Sequence, residues 1–263
     1  MLCFDIGTYI AYCRSMKTLD IAELDQLASQ VAHNDADLRY YNFHRKRYLL
    51  LLNTVFGISR KIQSPVILDI GASFQTYFLD HYIDKAAIDT MGFTLDRFKP
   101  IQNTTSDIPF DLTRSGEDEE VLNPIRGRYD IIILAEVIEH MYIRPERVLD
   151  TLSSLLKPGG YLILQTPNAA FLGSRIKLLL GKNPMPWIRD EPNNPGHYRE
   201  YTKQELIKLS DMTGFELVSI IGRNYFSHPS AIKQTLLKVT ALLPDTFKNG
   251  FTAVLKESKE SKD

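Results

Sequence analysis

Acidic residues and a glycine follow short apolar runs at intervals along this chain of 263 residues. Gly71 ends the first such run, and a glycine at that point lets the backbone turn sharply and approach a ligand closely. Asp89 stands 18 residues beyond Gly71, a spacing at which an acid can accept hydrogen bonds from the two hydroxyls of a ribose. Asp111 follows further on, and its carboxylate suits the exocyclic amine of an adenine. These residues predict a nucleoside-binding site.

A second group of ionisable residues follows the strongly apolar run Tyr129–Leu134 and consists of Glu136, Glu139 and His140. Burying three such groups is costly unless they meet partners or a ligand. An imidazole, whose pKa lies near neutrality, suits the removal of a proton from a hydroxyl. We therefore expect His140 and the distant His197 to converge as candidate bases. The alternative, that each is a structural hydrogen-bonding histidine, stays open.

The elements that must position these residues begin at Pro65, where short β-branched runs start to alternate with longer mixed segments. That alternation predicts a parallel sheet joined by crossover helices, with ligands bound beyond the carboxyl ends of the strands. The last two runs lack crossover spacing and predict an antiparallel pair at one edge. The predicted strands are Val66–Ile70, Ala86–Asp89, Tyr129–Leu134, Tyr161–Gln165, Phe215–Ile221 and Gly250–Lys256.

Helical spacing of apolar residues predicts two helices near the N-terminus, in Leu19–Val31 and Leu38–Phe56, separated by the polar sequence HNDAD. Two more helices are predicted at Asp150–Leu156 and Thr202–Thr213, the latter with a capping box formed by Thr202 and Glu205. The second N-terminal helix carries a basic cluster, which we interpret as a solvated helix face in preference to an anion site. That cluster consists of Arg39, Arg45, Lys46 and Arg47.

Composition and charge exclude several classes of protein. The chain is 44% hydrophobic and 24% charged, as in ordinary globular proteins, and its formal net charge of −1 argues against a nucleic-acid partner. No apolar run approaches the length of a membrane span, and the N-terminus is a poor signal peptide. Cys3 and Cys13 are too few for a disulfide framework. We expect a cytoplasmic protein and make no prediction of its oligomeric state.

Taken in order, six motifs resemble those of class I S-adenosylmethionine (SAM)-dependent methyltransferases over about Pro65–Ile221, and the last two are similar to O-methyltransferases of polysaccharide and small-molecule biosynthesis. The resemblance implies a Rossmann-like α/β fold, with a doubly wound, seven-stranded, mostly parallel sheet and an antiparallel edge pair. The motifs are VILDIGAS, AAID, FDL, YDIIILAEVIEHM, LLKPGGYLILQTPN and HYREYTKQELIKLSDMTGFELV.

By this resemblance the cofactor is SAM and the acceptor is a hydroxyl of a glycan, a glycolipid or a small metabolite. Asp69 and Gly71 would line the methionine end of the cofactor, Asp89 the ribose and Asp111 the adenine. Glu136 would lie at the boundary between cofactor and acceptor. The expected cofactor-binding set is Asp69, Gly71, Ala72, Ser73, Asp89, Asp111, Leu112 and Glu136, and the expected catalytic set is His140, His197 and Glu136.

One domain is expected, in four parts. Residues 1–63 would form a helical cap, 64–168 the SAM-binding core, 169–201 a lid over the acceptor, and 202–263 a helix with the edge strands. Long proline-rich loops in compact domains are usually functional, although a surface insertion without a role is the alternative. As a lid, the segment should turn Phe171, Met185 and Trp187 toward the cleft or the N-terminal helices.

One departure from the family's pattern matters. Ser73 and Gln75 stand where glycines are usual in the first motif, and we expect Gln75 to crowd the cofactor. A non-catalytic, SAM-binding module is therefore one alternative function. A second alternative is a metal-assisted 2′-O-methyltransferase acting on an RNA or other polymer end. It follows from the resemblance of Glu136, Glu139, His140 and His197 to the divalent-metal ligands of small-RNA 2′-O-methyltransferases and of some quinone-pathway O-methyltransferases. A metal is the minor hypothesis, and the predicted site set contains none.

Overall fold

The computed structural model describes residues 19–92, 104–117, 119–191, 196–226 and 230–258. Cys3 and Cys13 therefore lie outside the described residues. Two helices come first, α1 (Ile21–Val31) and α2 (Asp35–Ser59). Asp20 and Glu23 form a capping box at the start of α1, and Asn34 caps α2 by accepting from two backbone N–H groups. The two predicted N-terminal helices are thus confirmed, with the polar break supplying the cap of the second.

Seven strands form a single sheet in the order β3-β2-β1-β4-β5-β7-β6. The first five are parallel to one another, while β7 runs antiparallel to both β5 and β6. The fold family and the antiparallel edge pair predicted from the sequence are confirmed. The strands are β1 (Val66–Ile70), β2 (Ala87–Met91), β3 (Thr104–Ile108), β4 (Tyr129–Ala135), β5 (Leu156–Pro167), β6 (Phe215–Arg223) and β7 (Gly250–Glu257).

Helices cover both faces of the sheet. They are α3 (Phe74–Tyr82), α4 (Glu119–Leu122), α5 (Pro145–Leu155), α6 (Leu172–Leu179), α7 (Lys203–Met212) and α8 (Ala231–Ala241). The capping box of Thr202 and Glu205 at the start of α7 is present as predicted. The predicted helix at Asp150–Leu156 is longer, because Pro145 supplies a favourable first helical residue. Among the described helices, none is long and apolar enough to cross a membrane.

Alternating residues of the buried strands divide the core into two layers. Ile132 and Leu134 of β4 pack on the side of α5, whereas Ile131 and Ile133 pack on the side of α2 and α3. Side chains of a strand point alternately to opposite faces, so a strand buried on both sides is apolar throughout. Tyr48 and other residues of α2 belong to the second layer. The N-terminal helices are thus integral to one face of the sheet.

Candidate functional site

A cleft of about 1010 Å³ opens beyond the carboxyl ends of β1, β4 and β5. Such an edge is where ligands bind in open α/β sheets. The cleft is lined from the sheet side by Gly71 and Glu136, from α2 by Arg47, from the loop after β3 by Asp111 and from the segment before α7 by His197. Residues from five separate regions of the chain therefore meet at the predicted position.

The turn after β1 has the open backbone that a ligand needs. Gly71 has a φ of +77°, and a Cβ at this position would lie 3.3 Å from Cγ2 of Val137. Both the conformation and the space therefore favour glycine. Ala72 and Ser73 follow in the lining, and Ser73 also caps α3 in a capping box with Thr76. The structure brings these three predicted cofactor-binding residues together, and their contact with a cofactor stays a prediction.

Asp69 does not line the cleft. Its side chain is fully buried, and its two oxygens accept hydrogen bonds from Nε2 of Gln75 and Oγ1 of Thr76, both at 2.6 Å. Burial raises the pKa of Asp69 to about 7, against the lowering effect of these two bonds. Asp69 therefore holds the turn from beneath, and its contact with the cofactor stays a prediction that this burial does not favour.

Gln75 likewise lies under the turn. Its side chain is buried, and its Oε1 accepts from Nη1 of Arg47 at 3.3 Å while its amide donates to Asp69. The amide is thereby held away from the cleft, which Gln75 does not line. The expectation that Gln75 crowds the cofactor is therefore wrong, because two buried partners hold it below the backbone.

Asp89 lies outside the cleft as well. Its Oδ2 accepts from the Tyr129 hydroxyl at 2.9 Å and pairs with Nη2 of Arg128 at 2.9 Å. The predicted strand ended at Asp89, but β2 continues to Met91, so Asp89 is a mid-strand residue with its side chain in the core. The predicted end of this strand is wrong, Gly92 is the residue after β2 that lines the cleft, and the contact of Asp89 with the ribose stays a prediction.

Asp111 and Leu112 line the cleft as predicted. Oδ1 of Asp111 accepts from the backbone N–H of Thr113 at 2.9 Å and from its hydroxyl at 2.7 Å. Asp111 is thus the N-cap of a short 3-10 turn, and the side chain of Leu112 is buried beside it. A capping role leaves the second carboxylate oxygen for a ligand, so it is compatible with the predicted contact of Asp111 with the adenine.

Glu136 occupies a constrained position at the end of β4. Its φ of +59° lies in the left-handed region, which is costly for a residue with a Cβ. Oε1 is buried without a hydrogen-bond partner among the described residues. Burial raises the pKa of this carboxyl to about 6, while the positive charge of Arg47 lowers it. A buried, unsatisfied acceptor facing a cleft indicates a place for a polar ligand group.

The two predicted histidines converge. The rings of His140 and His197 lie 4.9 Å apart between centroids and nearly perpendicular. Nδ1 of His140 donates to the carbonyl oxygen of Gly196 at 2.8 Å, and Nδ1 of His197 bonds Oε1 of Glu200 at 2.8 Å. The Nδ1 contact orients each ring, so Nε2 is the nitrogen of each ring left to meet an acceptor. Burial lowers the pKa of His140, which favours the neutral form of its ring.

Glu139 completes a cluster with these histidines. One ligand atom from each of Glu139, His140 and His197 lies within 4.8 Å of the other two, so the three could hold a metal ion. The carboxyl of Glu139 is fully buried, and its Oε2 accepts from Thr166 at 3.1 Å while Oε1 has no partner among the residues described. Burial, and next the charge of Glu136, raises the pKa of Glu139 well above its usual range.

Arg47 is the main residue that the sequence interpretation missed. Its side chain is 1% exposed and lines the cleft, so it is not part of a solvated helix face. Nη1 donates to Gln75 and Gln165, while Nε is buried without a partner among the described atoms. The helical spacing of Tyr40, His44 and Arg47, all of which line the cleft, was the available signal. A cation this buried needs compensation, which Gln75, Gln165 and the ring of Tyr48, 4.4 Å from its guanidinium, supply in part.

The predicted lid, residues 169–201, is partly helical, and only part of it faces the cleft. It contains α6, and of the three apolar residues predicted to face the cleft, Phe171 does so. Trp187 is 92% exposed, and Met185 does not line the cleft. The predicted inward orientation is wrong for Trp187, whereas an orientation of Met185 toward the N-terminal helices stays a prediction. The ends of the segment are joined by a bridge between Asn168 and Tyr201.

A family model described as a methyltransferase domain matches residues 40–220, more than half of the chain. The chain therefore belongs to this methyltransferase family. Membership confirms the class predicted from the ordered motifs, and with it SAM as the cofactor of the domain.

Individual relatives share shorter regions. A probable SAM-dependent methyltransferase of Mycolicibacterium smegmatis is 33% identical over 93 residues, which cover 35% of this chain and 31% of that protein. A ubiquinone biosynthesis O-methyltransferase of Vibrio atlanticus is 31% identical over 109 residues, 41% of this chain and 44% of its own length. The chain thus spans less than half of either relative. A solved SAM-dependent methyltransferase of Archaeoglobus fulgidus, 16% identical, covers 85% of this chain and 100% of its own with a TM-score of 0.56, a likeness of fold.

Proposed function

We propose that this protein is a SAM-dependent O-methyltransferase acting on a hydroxyl of a glycan, glycolipid or small metabolite. The observation that carries the proposal is the pair of oriented imidazoles, His140 and His197, beside the open glycine turn at Gly71. A hydroxyl is a poor nucleophile until its proton is removed, whereas the methyl donor of this family needs no activation. The relatives named for O-methylation in ubiquinone biosynthesis support oxygen as the acceptor atom.

The residues that we propose to hold the cofactor are the members of the expected set that line the cleft, together with Arg47. Gly71, Ala72 and Ser73 present backbone at the turn, Asp111 and Leu112 suit the adenine, and Glu136 and Arg47 lie where an amino acid group would need partners. When bound, SAM supplies a methyl group on a positively charged sulfur. Holding the acceptor oxygen in line with that group and excluding water is mainly a matter of proximity and orientation.

His197 is the base that we favour for the acceptor hydroxyl. Glu200 accepts a hydrogen bond from its Nδ1, which fixes the ring and stabilises the imidazolium that forms when Nε2 takes the proton. His140 lies against it and can accept the proton or orient the hydroxyl. Glu200 was not among the predicted residues, although its position three residues after His197 was a readable signal.

Calorimetry with SAM, followed by single-turnover methylation of a panel of hydroxylated acceptors, tests this proposal. We expect one SAM per chain and transfer to oxygen. A protein that binds SAM but methylates no acceptor in the panel would favour the non-catalytic module, and one that binds no SAM at millimolar concentration would refute both.

A metal-assisted methyltransferase is the second candidate, favoured by the cluster of Glu139, His140 and His197. Two imidazoles and a buried carboxylate suit Mn²⁺ or a similar divalent ion, and the unsatisfied Oε1 of Glu139 fits a ligand role. Such an ion would lower the pKa of an acceptor hydroxyl. Titration of the protein alone with Mn²⁺, followed by electron paramagnetic resonance, tests it. Binding that Glu139→Gln abolishes, together with activity lost in chelator, would favour this candidate over the histidine base.

We further propose that the protein works in the cytoplasm, as expected of a chain with only two cysteines. The near-neutral net charge supports a small-molecule or glycan acceptor over a nucleic acid. Residues 1–63 would act as a cap that supplies Arg47 to the cofactor site, and 169–201 as the lid.

A further inference from the structure

Several large apolar side chains are exposed to solvent on α6 and on the chain that follows it. Helix α6 has no buried residue, and five strongly exposed apolar residues fall between positions 178 and 188. We call them the apolar lid surface: Leu178 (60% exposed), Leu179 (86%), Leu180 (67%), Trp187 (92%) and Ile188 (56%). Single exposed apolar residues are normal, but a cluster of this kind marks an interaction site.

Positive charge accompanies the apolar lid surface. Residues 169–191 contain four cations, Arg175, Lys177, Lys182 and Arg189, and two acids, Asp190 and Glu191, which gives the segment a net charge of +2. Arg189 pairs with Glu191 at 3.8 Å, so the excess positive charge lies on and just after α6. The chain as a whole has a net charge of −1, so this segment carries an excess of positive charge that the rest of the chain lacks. Leucines flanked by lysine and arginine, with a tryptophan among them, have the composition of segments that lie in the interface of an anionic bilayer.

The apolar lid surface adjoins the mouth of the cleft. Phe171 and Ser174, at the start of α6, and Pro184 and Arg189, after it, all line the cleft. Lys177 of the same helix contacts the carbonyl oxygen of Pro184 at 3.3 Å, which joins the helix to the chain that follows. Whatever binds the exposed side of this segment therefore lies next to the entrance through which an acceptor must pass.

We propose that the apolar lid surface docks on an anionic lipid bilayer and that the acceptor is an amphiphile presented from that bilayer. Its hydroxyl-bearing head group would enter the cleft while its apolar part stays in lipid. The docking proposal depends only on the exposed apolar side chains and the positive charge of this segment. The class of acceptor, in contrast, rests on the proposed function. A second copy of this chain fits the surface less well, since a symmetric pairing would bring the same four cations against themselves.

Trp187 is the only tryptophan of the chain, so its fluorescence reports on this surface alone. We expect the emission of the full chain to shift to shorter wavelength with vesicles of phosphatidylcholine and phosphatidylglycerol, much less with phosphatidylcholine alone, and to be quenched by brominated lipid. Leu179→Ser combined with Leu180→Ser should weaken vesicle binding by about tenfold or more. Leu242→Ser, which changes a leucine that is 90% exposed at the C-terminal end of α8, is the matched control.

Absence of a shift with anionic vesicles would overturn the docking proposal. So would equal loss of binding in the control variant, or a shift that grows with protein concentration without lipid, which would indicate self-association. SAM affinity of the double variant, measured by calorimetry, should equal that of the unmodified protein. Because vesicle binding is measured without SAM, failure of the proposed methyl transfer leaves the docking result intact, and failure of docking leaves SAM binding intact.

Discussion

Replacement of Arg47 by glutamine should weaken binding of SAM if, as we propose, its buried guanidinium meets the cofactor's carboxylate. Nη1 is shared between Gln75 and Gln165 at 3.3 and 3.4 Å, and Nε has no partner among the residues described. A hydrogen bond between charged groups contributes about 1.5–3 kcal/mol. The dissociation constant should therefore rise by roughly 10- to 150-fold.

Calorimetry with two ligands isolates this contribution. 5′-Methylthioadenosine keeps the nucleoside and the sulfur but lacks the amino acid group, so its affinity should be almost unchanged in the Arg47→Gln variant. Arg45→Gln is the matched control, since Arg45 lies on the same helix, is paired with Asp25 at 3.3 Å and does not line the cleft. Equal loss of affinity for both ligands would mean that Arg47 only supports the turn at Gly71. Unchanged affinity for SAM would refute the assignment altogether.

Three further predictions concern the base, the buried acid of β2 and the acid beneath the turn. His140→Ala and His197→Ala should each lower turnover by about 10²-fold with little change in SAM affinity, and full activity in both would exclude a histidine base. Tyr129→Phe should lower the free energy of unfolding by about 1–3 kcal/mol, because Asp89 loses a buried donor, without affecting SAM binding; weaker SAM binding would restore Asp89 to the site. Burial raises the pKa of Asp69 from 3.8 to about 7, so the folded state binds its proton more tightly and its contribution to stability falls as pH rises across that interval. Urea unfolding should show a flatter pH dependence in Asp69→Asn than in the unmodified protein, and parallel curves would contradict the raised pKa.

Most of the sheet could be predicted because its buried strands are mainly apolar and several are followed by a glycine or an acid. Strand β1 has the predicted bounds, and β4 differs by one residue. Strand β3, with the sequence TTSDI, was missed because it has almost no apolar residues. It lies at the edge of the sheet, where a strand is paired on one side only. Helix α6 was missed for a related reason, since its apolar residues face water and give no buried stripe.

The sequence could predict site residues that directly follow the end of a strand. It was less informative where a role depends on the direction in which a side chain points. Gly71 and His140 follow strands whose ends are clear in the sequence. Asp89 was misplaced because two additional strand residues move it from the edge into the core. Arg47 was misassigned because a run of three basic residues does not by itself show which one faces inward. Only the neighbouring α3 and β5, which supply Gln75 and Gln165, fix that choice.

The segment before α7 is attached to the end of β4 by bonds that also determine the chemical form of His140. The carbonyl oxygen of Glu139 accepts from the N–H groups of Tyr198 and Arg199 at 2.8 and 3.2 Å. The carbonyl of Gly196 can only accept, so it selects the tautomer of His140 that carries the proton on Nδ1. If the segment left β4, His140 would lose the group that selects this tautomer, and His197 would move away with the segment. If His197 is the base, as we propose, attachment of this segment to β4 and assembly of that base are one event.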